Sequence, residues 1–383
     1  MTRGLDWRDA RARAADAAPD AVAELVPLDG AVGRVLAEDV RTPIPLPHYP
    51  SSAMDGWAVR GEPPWRIVSG GDPAAGEAVA IVTGGLVPAS ADAVLRAEAG
   101  RVAGDRLEPV GETGARDVAE HRHIRPAGTE ASAEEIVLRA GILLTPPRVA
   151  LAAATGADWL PVRRRPRVAL VLTGDEVVEA GIPVPGRVRD SFRVALPSVL
   201  AELGADVAAI HRVGDDTETT RAAIAADPVD LVVTTGGTGH SDVDRVRAAS
   251  RDLGAEFLVP SVAMRPGGPT FLARTSDRLV LGLPGNPLAA VLGLLAVGGP
   301  LLEAWTGHGT GSTTVTLAVG LEGRAHSTRL VPIAVRDGVA TPTAHAGSAM
   351  LRGLAAADGV LVVPPSGVPA GVPAEALLLP WPT

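Results

Sequence analysis

The 383-residue sequence contains no cysteine and no lysine. Without cysteine the protein has no disulfide bonds, thiolate metal sites, iron–sulfur clusters or cysteine nucleophiles, which fits a reducing compartment. Because arginine supplies all of the Lys and Arg count, a lysine Schiff base, pyridoxal-phosphate chemistry and the P-loop lysine are excluded as well.

Aromatic residues and positive charge are also scarce. Six Trp, one Tyr and three Phe leave too few rings for stacking nucleic-acid bases, so the cores must be built from Val, Leu, Ile and Ala. The 35 basic and 44 acidic residues give a net charge of −9, which repels phosphate backbones. We therefore expect no nucleic-acid partner.

Long hydrophobic segments are absent too. The N-terminus runs directly into a charged helical pattern, with no apolar signal segment. The longest apolar run, Leu288 to Leu302, is interrupted by glycine and proline and is shorter than the roughly 18–20 residues of a membrane span. We expect this run to form a buried helix in a cytoplasmic protein without a membrane partner.

The first 165 residues contain helical patterns, a proline-rich connector and short β-like runs. Trp7 and Ala10 begin one helical pattern, and Val35 and Leu36 belong to a second. Four prolines between residues 43 and 50 forbid a helix or a central strand there. We predict a helical and extended N-terminal linker domain at 1–48 and 139–165, with a small β domain inserted at 49–138.

From residue 167 the pattern changes to wholly apolar strands, such as Val168 to Leu172, that alternate with amphipathic helices. Such a pattern predicts a parallel sheet covered by helices on both faces. After residue 307 the helical patterns stop, and strands spaced by Gly and Pro follow. We predict multidomain α/β plus β architecture, with a three-layer α/β domain at 166–306 and a C-terminal, barrel-like β domain at 307–383.

Three polar loops follow strands of the predicted sheet and should face one crevice, because ligands of such sheets bind beyond the carboxyl ends of the strands. The loops are Thr173 to Glu176, Thr234 to Asp242, and Gly282 to Pro287. Thr235 to Gly239 has little side-chain bulk, so its backbone N–H groups can approach a phosphate. An ordinary tight turn is the alternative.

Acidic residues cluster at the same strand ends. Carboxylates beside a phosphate would repel it unless a divalent cation lay between them, which indicates Mg²⁺. Capping of helix N-termini is the alternative for any single one of them. The acidic residues concerned are Asp175, Glu176, Asp215, Asp216, Asp242 and Asp244.

Other candidate ligands give weaker patterns. Arg265 stands on a loop constrained by Pro266 and Pro269, where it can hold an oxyanion or face solvent. His48, His121 and His123 are interpreted as surface residues because no ligand spacing accompanies them.

In order along the chain, these motifs resemble the molybdopterin molybdenumtransferases, which are the MoeA family of bacteria and the E domain of gephyrin. The resemblance covers nearly the whole chain, whereas a MogA-like or CinA-like domain would match only residues 167 to 305. It is carried by Gly33 to Val40, Ser52 to Gly56, Val82 to Gly84, Ile124–Arg125, Thr173 to Glu176, Arg189 to Ser191, Gly236–Gly237 and Gly282 to Pro287.

The resemblance implies a Mg²⁺-dependent molybdotransferase. Adenylylated molybdopterin and molybdate would be its substrates, AMP would be released, and a MogA-like adenylyltransferase would be a partner. It also implies a homodimer in which the inserted domain of one subunit completes the crevice on the MogA-like domain of the other. Such phosphoanhydride chemistry needs carboxylates and phosphate-neutralising donors.

Residue roles follow from the matched motifs and are implied by the resemblance alone. The catalytic residues would be Asp55, Glu176, Asp244, Asp215 and Glu130, of which Glu176 and Asp244 would hold the metal. Arg265, Arg329 and Ser348 would bind molybdate. The residues that would bind the pterin substrate are Thr83, Thr173, Gly174, Asp190, Ser191, Thr235, Gly236, Gly237, Pro284, Gly285 and Asn286.

The chain departs from the family pattern at several of these motifs. Gly268 stands where the family has a second cation, with Arg324 and Arg329 as candidate substitutes, and Phe192 and the segment Gly239 to Ser241 differ as well. Two other functions therefore stay open. One is a catalytically weak paralogue that carries molybdopterin or acts as a regulator, and the other is a CinA-like nucleotide hydrolase.

Overall fold

The computed structural model describes residues 4–236, 245–309 and 311–381. The chain divides into two compact units. Unit one comprises residues 1–24 and 162–383, and unit two comprises residues 25–161. The chain passes between them along the paired strands Ala23–Pro27 and Trp159–Arg163.

Unit two is built around a six-stranded sheet. Trp65 and Leu107 are fully buried in its core. Two short antiparallel pairs join Ser51–Ser52 to Ile124–Arg125 and Val40–Arg41 to Ile136–Leu138. The helices are Gly111–Ala119 and Pro146–Ala154. In spatial order the sheet contains Ala93–Arg96, Gly56–Arg60, Glu77–Ile81, Trp65–Val68, Arg106–Pro109 and Gly100–Ala103.

Two elements of unit two differ from the sequence-based expectation. The helix predicted around Val35 and Leu36 does not form, because this stretch pairs with residues 141–144 instead. The helix Gly111–Ala119 was not predicted, and the glycines inside it hide its pattern. A Cβ on Gly114 would lie 2.6 Å from the carbonyl oxygen of Ala99, so close packing requires the glycine there.

The predicted α/β layer of unit one is confirmed. Its first four strands are parallel, and the last two are antiparallel to their neighbours. Along Arg167–Thr173 the side chains alternate between two cores, because successive residues of a strand point to opposite faces. In spatial order the sheet contains Asp206–Val213, Arg167–Thr173, Leu231–Thr235, Leu279–Leu283, Phe271–Arg274 and Glu256–Val259.

Helices cover both faces of this sheet. Thr217–Ala225 and Arg245–Asp252 pack on one face. The other face carries Trp7–Asp16, Phe192–Glu202 and the helical run formed by Pro287–Gly293, the π-helical Leu294–Gly298 and Gly299–Thr306. By length and composition the run from 287 to 306 could cross a membrane, but 83% of it is buried inside the protein. It is a core helix, as the sequence predicts.

The C-terminal part of unit one is a closed five-stranded barrel. It contains Thr328–Arg336, Val339–Pro342, Ser312–Leu317, Pro373–Leu378 and Gly359–Val363, and the last of these pairs back with the first. Alternate apolar side chains fill its interior. Two smaller elements of unit one are the helix Arg352–Ala355 and the parallel pair Val177–Val178 and Val188–Arg189. The strand Met264–Arg265 adds to the barrel beside Thr328–Arg336.

Candidate functional site

Three strands of the unit-one sheet end together, and their last residues contact one another. The Thr173 hydroxyl donates a 2.8 Å hydrogen bond to the carbonyl oxygen of Thr235, and the Gly236 N–H donates to that of Leu283 at 3.0 Å. A Cβ on Gly285 would lie 3.4 Å from the Cα of Gly236. The three loops therefore meet at one edge of the sheet, as expected for carboxyl ends of parallel strands.

Gly236 is required at this junction for two reasons. Its φ of +83° lies in the left-handed region, and an added Cβ would lie 2.4 Å from the Thr173 hydroxyl oxygen. The close contact of the three loops therefore depends on the absence of a side chain at this position.

Replacing Gly236 by alanine should lower the free energy of unfolding by about 2 kcal/mol, because left-handed strain and the clash with Thr173 add together. Urea denaturation measures the loss. Gly254→Ala is the matched control, since its φ is +74° but no atom lies within 4 Å of the added Cβ. Equal losses in the two variants would show that the contact with Thr173 does not matter.

A cavity of about 730 Å³, here called the strand-end cavity, opens beyond these strand ends. Thr235, the last residue of the strand Leu231–Thr235, is buried and does not line this cavity, and its hydroxyl has no partner among the described residues. The lining also includes three residues outside the predicted site, Arg189, Phe192 and Arg245. The predicted site residues that line it are Thr173, Gly174, Glu176, Asp190, Ser191, Asp215, Gly236, Pro284, Gly285 and Asn286.

The three carboxylates among the described residues of the strand-end cavity have different surroundings. Asp190 is 1% exposed, and its carboxylate pairs with Arg212 and accepts a 2.9 Å hydrogen bond from the Arg193 N–H. Asp215 pairs with Arg245 at 3.3 Å. The Glu176 carboxylate is exposed and has no hydrogen bond or ion pair within the described part of the chain. Glu176 is therefore the carboxylate with the most capacity to bind a ligand.

Asp216, rather than its neighbour Asp215, caps the N-terminus of the helix Thr217–Ala225. The Asp216 carboxylate accepts a 2.8 Å hydrogen bond from the Thr219 N–H at the start of Thr217–Ala225. That backbone hydrogen bond, together with the one from the Thr219 hydroxyl, lowers the pKa of Asp216. The capping alternative therefore applies to Asp216, whereas Asp215 faces the cavity.

A second cavity, of about 810 Å³ and here called the arginine cavity, lies beside the first. All three residues predicted to bind molybdate, Arg265, Arg329 and Ser348, line it, together with Arg324 and His326. The described residues of its lining include no Asp or Glu. The two cavities share Pro269, Pro284 and Asn286 in their linings, so they adjoin at the loop from Gly282 to Pro287.

Strand pairing brings two of the arginines together. Met264–Arg265 and Thr328–Arg336 are parallel, and their register places Arg265 beside Arg329. Arg329 donates a 2.5 Å hydrogen bond to the carbonyl oxygen of Glu322. The guanidinium groups of Arg265 and Arg324 have no partner among the described residues. Positive charge with no carboxylate among the described lining residues favours an oxyanion in this cavity.

Gly268 also lines the arginine cavity, and its neighbours leave no room for a side chain. A Cβ there would lie 2.9 Å from the carbonyl oxygen of Met264 and 3.3 Å from that of Val262. Because backbone atoms set both contacts, a cation cannot be restored at this position without moving the loop. Arg324 and Arg329 already line the same cavity.

Unit two holds three further predicted residues, Asp55, Thr83 and Glu130. The Asp55 carboxylate accepts hydrogen bonds from the Thr83 N–H at 2.6 Å and from the Thr83 hydroxyl at 2.9 Å. These two bonds lower the pKa of Asp55, the backbone bond most strongly, although the carboxylate is exposed. The structure thus pairs two residues that the motifs name separately. Glu130 is exposed in the segment between Ile124–Arg125 and Ile136–Leu138.

The predictions for residues 237–244 lie outside the described residues, namely Gly237, the segment Gly239 to Ser241, Asp242 and the metal ligand Asp244. Among the residues that are described, no three His, Asp or Glu side chains cluster closely enough to hold a metal ion by themselves. Arg245 and His326 line a cavity although no sequence motif contains them, whereas Arg189 belongs to the motif Arg189 to Ser191. Isolated residues of this kind carry no motif; only their position in the fold marks them.

The fold and the two cavities define an α/β protein with one cavity at the ends of a mostly parallel sheet and an arginine-lined cavity beside it. Family models match in the same order along the chain. They describe the MoeA N-terminal region (domain I and II) at 5–156, a probable molybdopterin binding domain at 169–304 and the MoeA C-terminal region (domain IV) at 314–379.

Individual relatives cover most of the chain. Molybdopterin molybdenumtransferase 2 of Mycobacterium tuberculosis is 32% identical over 378 residues, which cover 88% of this chain and 90% of that protein. Molybdopterin molybdenumtransferase of Bacillus subtilis is 31% identical over 309 residues, covering 74% and 70%. The crystal structure of a molybdopterin biosynthesis MoeA protein from Pyrococcus horikosii has a TM-score of 0.78 at 25% identity, covering 98% and 99%. The chain therefore belongs to the molybdopterin molybdenumtransferase (MoeA) family.

Proposed function

We propose that this protein inserts molybdate into molybdopterin during synthesis of the molybdenum cofactor. The proposal rests on one observation: two chemically different cavities adjoin and share the lining residues Pro269, Pro284 and Asn286. One suits a pterin with its phosphate, and the other suits an oxyanion. Membership of a family of molybdenumtransferases supports the same reaction.

The arginine cavity would bind molybdate. Guanidinium groups stay charged at any physiological pH and donate hydrogen bonds in a planar fork. Arg265 and Arg329 are strand neighbours, and Ser348 and Asn286 add further polar groups to the same lining. A dianion placed there would meet cations and hydrogen-bond donors while meeting no described carboxylate.

The strand-end cavity would bind the pterin substrate in its adenylylated form, from which AMP leaves. Gly236 and Gly285 let the loops approach closely, so that backbone N–H groups can face a phosphate. Asp215 and Arg245 pair within the same lining. Hydrolysis of a phosphoanhydride needs a carboxylate that orients water and donors that neutralise the phosphates, and this cavity contains both kinds of group.

Mg²⁺ is part of the proposal, with Glu176 as the residue that would hold it. Mg²⁺ in phosphoryl-transfer sites is usually held by one or two carboxylates plus substrate phosphates, so the Glu176 carboxylate, which has no partner among the described residues, fits it. Asp215 lines the same cavity. When bound, Mg²⁺ would supply charge neutralisation at the phosphates.

The direct test is to incubate the purified protein with adenylylated molybdopterin, Mg²⁺ and molybdate, and to measure AMP release and active cofactor. We expect both products, each dependent on molybdate and on Mg²⁺. Tight pterin binding without AMP release would instead support the carrier function. Hydrolysis of nucleotides that carry no pterin would support a CinA-like hydrolase.

Replacing Arg265 or Arg329 by alanine should weaken molybdate binding about 10- to 100-fold, because one charge-assisted hydrogen bond is worth about 1.5–3 kcal/mol. Equilibrium dialysis against molybdate measures the change. Arg336→Ala is the control, since this arginine is 83% exposed on the barrel surface and does not line the cavity. Unchanged affinity in both cavity variants would move the oxyanion site elsewhere.

The homodimer, the MogA-like partner and the cytoplasmic location remain predictions, supported by the family resemblance rather than by contacts within this chain.

A further inference from the structure

Unit two contains a buried charged cluster that none of the proposed steps uses. Asp117, in the helix Gly111–Ala119, is 1% exposed. Its carboxylate accepts hydrogen bonds from Arg96 Nε at 2.9 Å, from Arg96 Nη2 at 3.2 Å and from His123 Nε2 at 3.0 Å. Three bonds on one buried carboxylate tie the helix to two separate parts of the chain.

The histidine arm of this cluster reaches the N-terminal side of the loop that carries Asp55. The carbonyl oxygen of His123 accepts a 2.8 Å hydrogen bond from the Ala53 N–H. The next residue, Ile124, pairs with Ser52 in an antiparallel ladder. The bond between His123 and Asp117 therefore also restrains the backbone of Ser52 and Ala53, just before Asp55.

The arginine arm reaches the C-terminal side of the same loop. Arg96 is the register partner of Gly56, and the N–H of Ala97 donates a 2.9 Å hydrogen bond to the carbonyl oxygen of Asp55. A Cβ on Gly56 would lie 2.0 Å from the carbonyl oxygen of Leu95, so the two strands are in close contact at this point. The bonds from Arg96 to Asp117 therefore hold the end of the strand Ala93–Arg96, which pairs with the backbone next to Asp55.

We propose that Asp117, with Arg96 and His123, positions the Ala53–Asp55 backbone so that the Asp55 carboxylate meets Thr83. These are positioning residues, because they act on Asp55 through backbone contacts on its two sides. That Asp55 takes part in the reaction rests on the proposed function, whereas the positioning itself does not.

The charges of the cluster are consistent with a permanent anchor. Burial by itself raises the pKa of Asp117, and the hydrogen bonds from Arg96 and His123 outweigh it, so that the pKa lies below its ordinary value. Stabilisation from a carboxylate with a lowered pKa is present above the unfolded value of about 3.9 and is lost as the pH falls through the folded value. The Asp117 carboxylate therefore stays charged at neutral pH.

The test uses the full chain and measures Asp55 directly. Selective ¹³C labelling of aspartate, with Asp55→Asn to assign the signal, follows the titration of the Asp55 carboxylate. In Asp117→Asn and in His123→Leu we expect the pKa of Asp55 to rise toward its ordinary value of 3.8, since the hydrogen bonds from Thr83 are what lower it. AMP release should show kcat reduced about tenfold or more, with KM nearly unchanged.

Two further variants separate positioning from general destabilisation. His123→Gln should restore the wild-type behaviour, because glutamine places an amide N–H donor at about the same distance from the backbone as Nε2, whereas leucine has no donor. His121→Leu is the control for His123→Leu, since His121 also has a left-handed φ, of +50°, but contacts the carbonyl oxygen of Asp92. It should leave the Asp55 titration unchanged.

An unchanged Asp55 titration in folded Asp117→Asn and His123→Leu proteins would overturn the proposal, as would an equal shift in His121→Leu. If Asp117→Asn does not fold, His123→Leu decides alone. A shifted Asp55 titration in a protein whose wild type releases no AMP would contradict the proposed function and leave the positioning role intact.

Discussion

Glu176→Gln should reduce Mg²⁺-dependent AMP release about a hundredfold to a thousandfold while the protein stays folded. Glutamine keeps the size of the side chain but lacks the negative charge that would hold Mg²⁺ against the substrate phosphates. Stability should change little, because the Glu176 carboxylate is exposed and has no partner among the described residues. AMP release at saturating Mg²⁺ and a thermal melt measure the two quantities.

Asp216→Ala is the control for this prediction, because it removes a helix cap next to the same cavity. Loss of this helix cap should lower the free energy of unfolding by about 1 kcal/mol and leave AMP release largely intact. Wild-type activity in Glu176→Gln would remove this residue from the metal site. If fully folded Asp216→Ala also lost AMP release, the loss in Glu176→Gln could reflect a changed loop structure and would not by itself indicate metal binding.

Asp190→Asn should lower the free energy of unfolding by about 3 kcal/mol. Asp190 is buried and pairs with Arg212, whose side chain is only 18% exposed. Removing the negative charge leaves the guanidinium without its buried partner, which costs far more than the loss of a surface ion pair. Chemical denaturation monitored by tryptophan fluorescence measures the difference from the wild type.

The matched control is Asp206→Asn, which breaks a 3.5 Å pair with Arg165 in which the aspartate is 59% exposed. We expect a loss below about 1 kcal/mol there. Equal losses would mean that burial does not decide the strength of these pairs. Asp190 was predicted to bind the pterin, and a large stability loss would show that it also maintains the cavity wall.

Local sequence patterns predicted helices and strands well where the periodicity of neighbouring residues was enough to determine the element. The apolar run Val168 to Leu172 lies within the strand Arg167–Thr173, and the short β-like runs of the first 165 residues form strands such as Trp65–Val68. The α/β layer and its position after residue 166 also followed from continuous apolar runs. The pattern failed near Val35 and Leu36, where pairing with residues 141–144 satisfies the backbone better than a short helix.

The candidate site was predictable only in part, for the same reason. Motifs named Arg265, Arg329 and Ser348, but only the parallel register of two short strands places the two arginines side by side. Asp55 and Thr83 belong to separate motifs, and the hydrogen bonds between them depend on how unit two folds. No motif indicated the Asp117 cluster, because the backbone hydrogen bonds that link it to the Asp55 loop join residues distant in sequence, such as Ala53 and His123.

The sequence by itself determined the chemistry available to this protein: no thiol, no lysine amine, an acidic surface, and an ordered series of motifs that places it in its family. It also determined the alternation of strand and helix, which depends on the periodicity of neighbouring residues. The tertiary structure decided which polar groups remain available for a ligand. Glu176 is unpaired among the described residues whereas Asp190 is paired, and the difference comes from Arg212, a residue 22 positions from Asp190 that the sheet brings into contact with it.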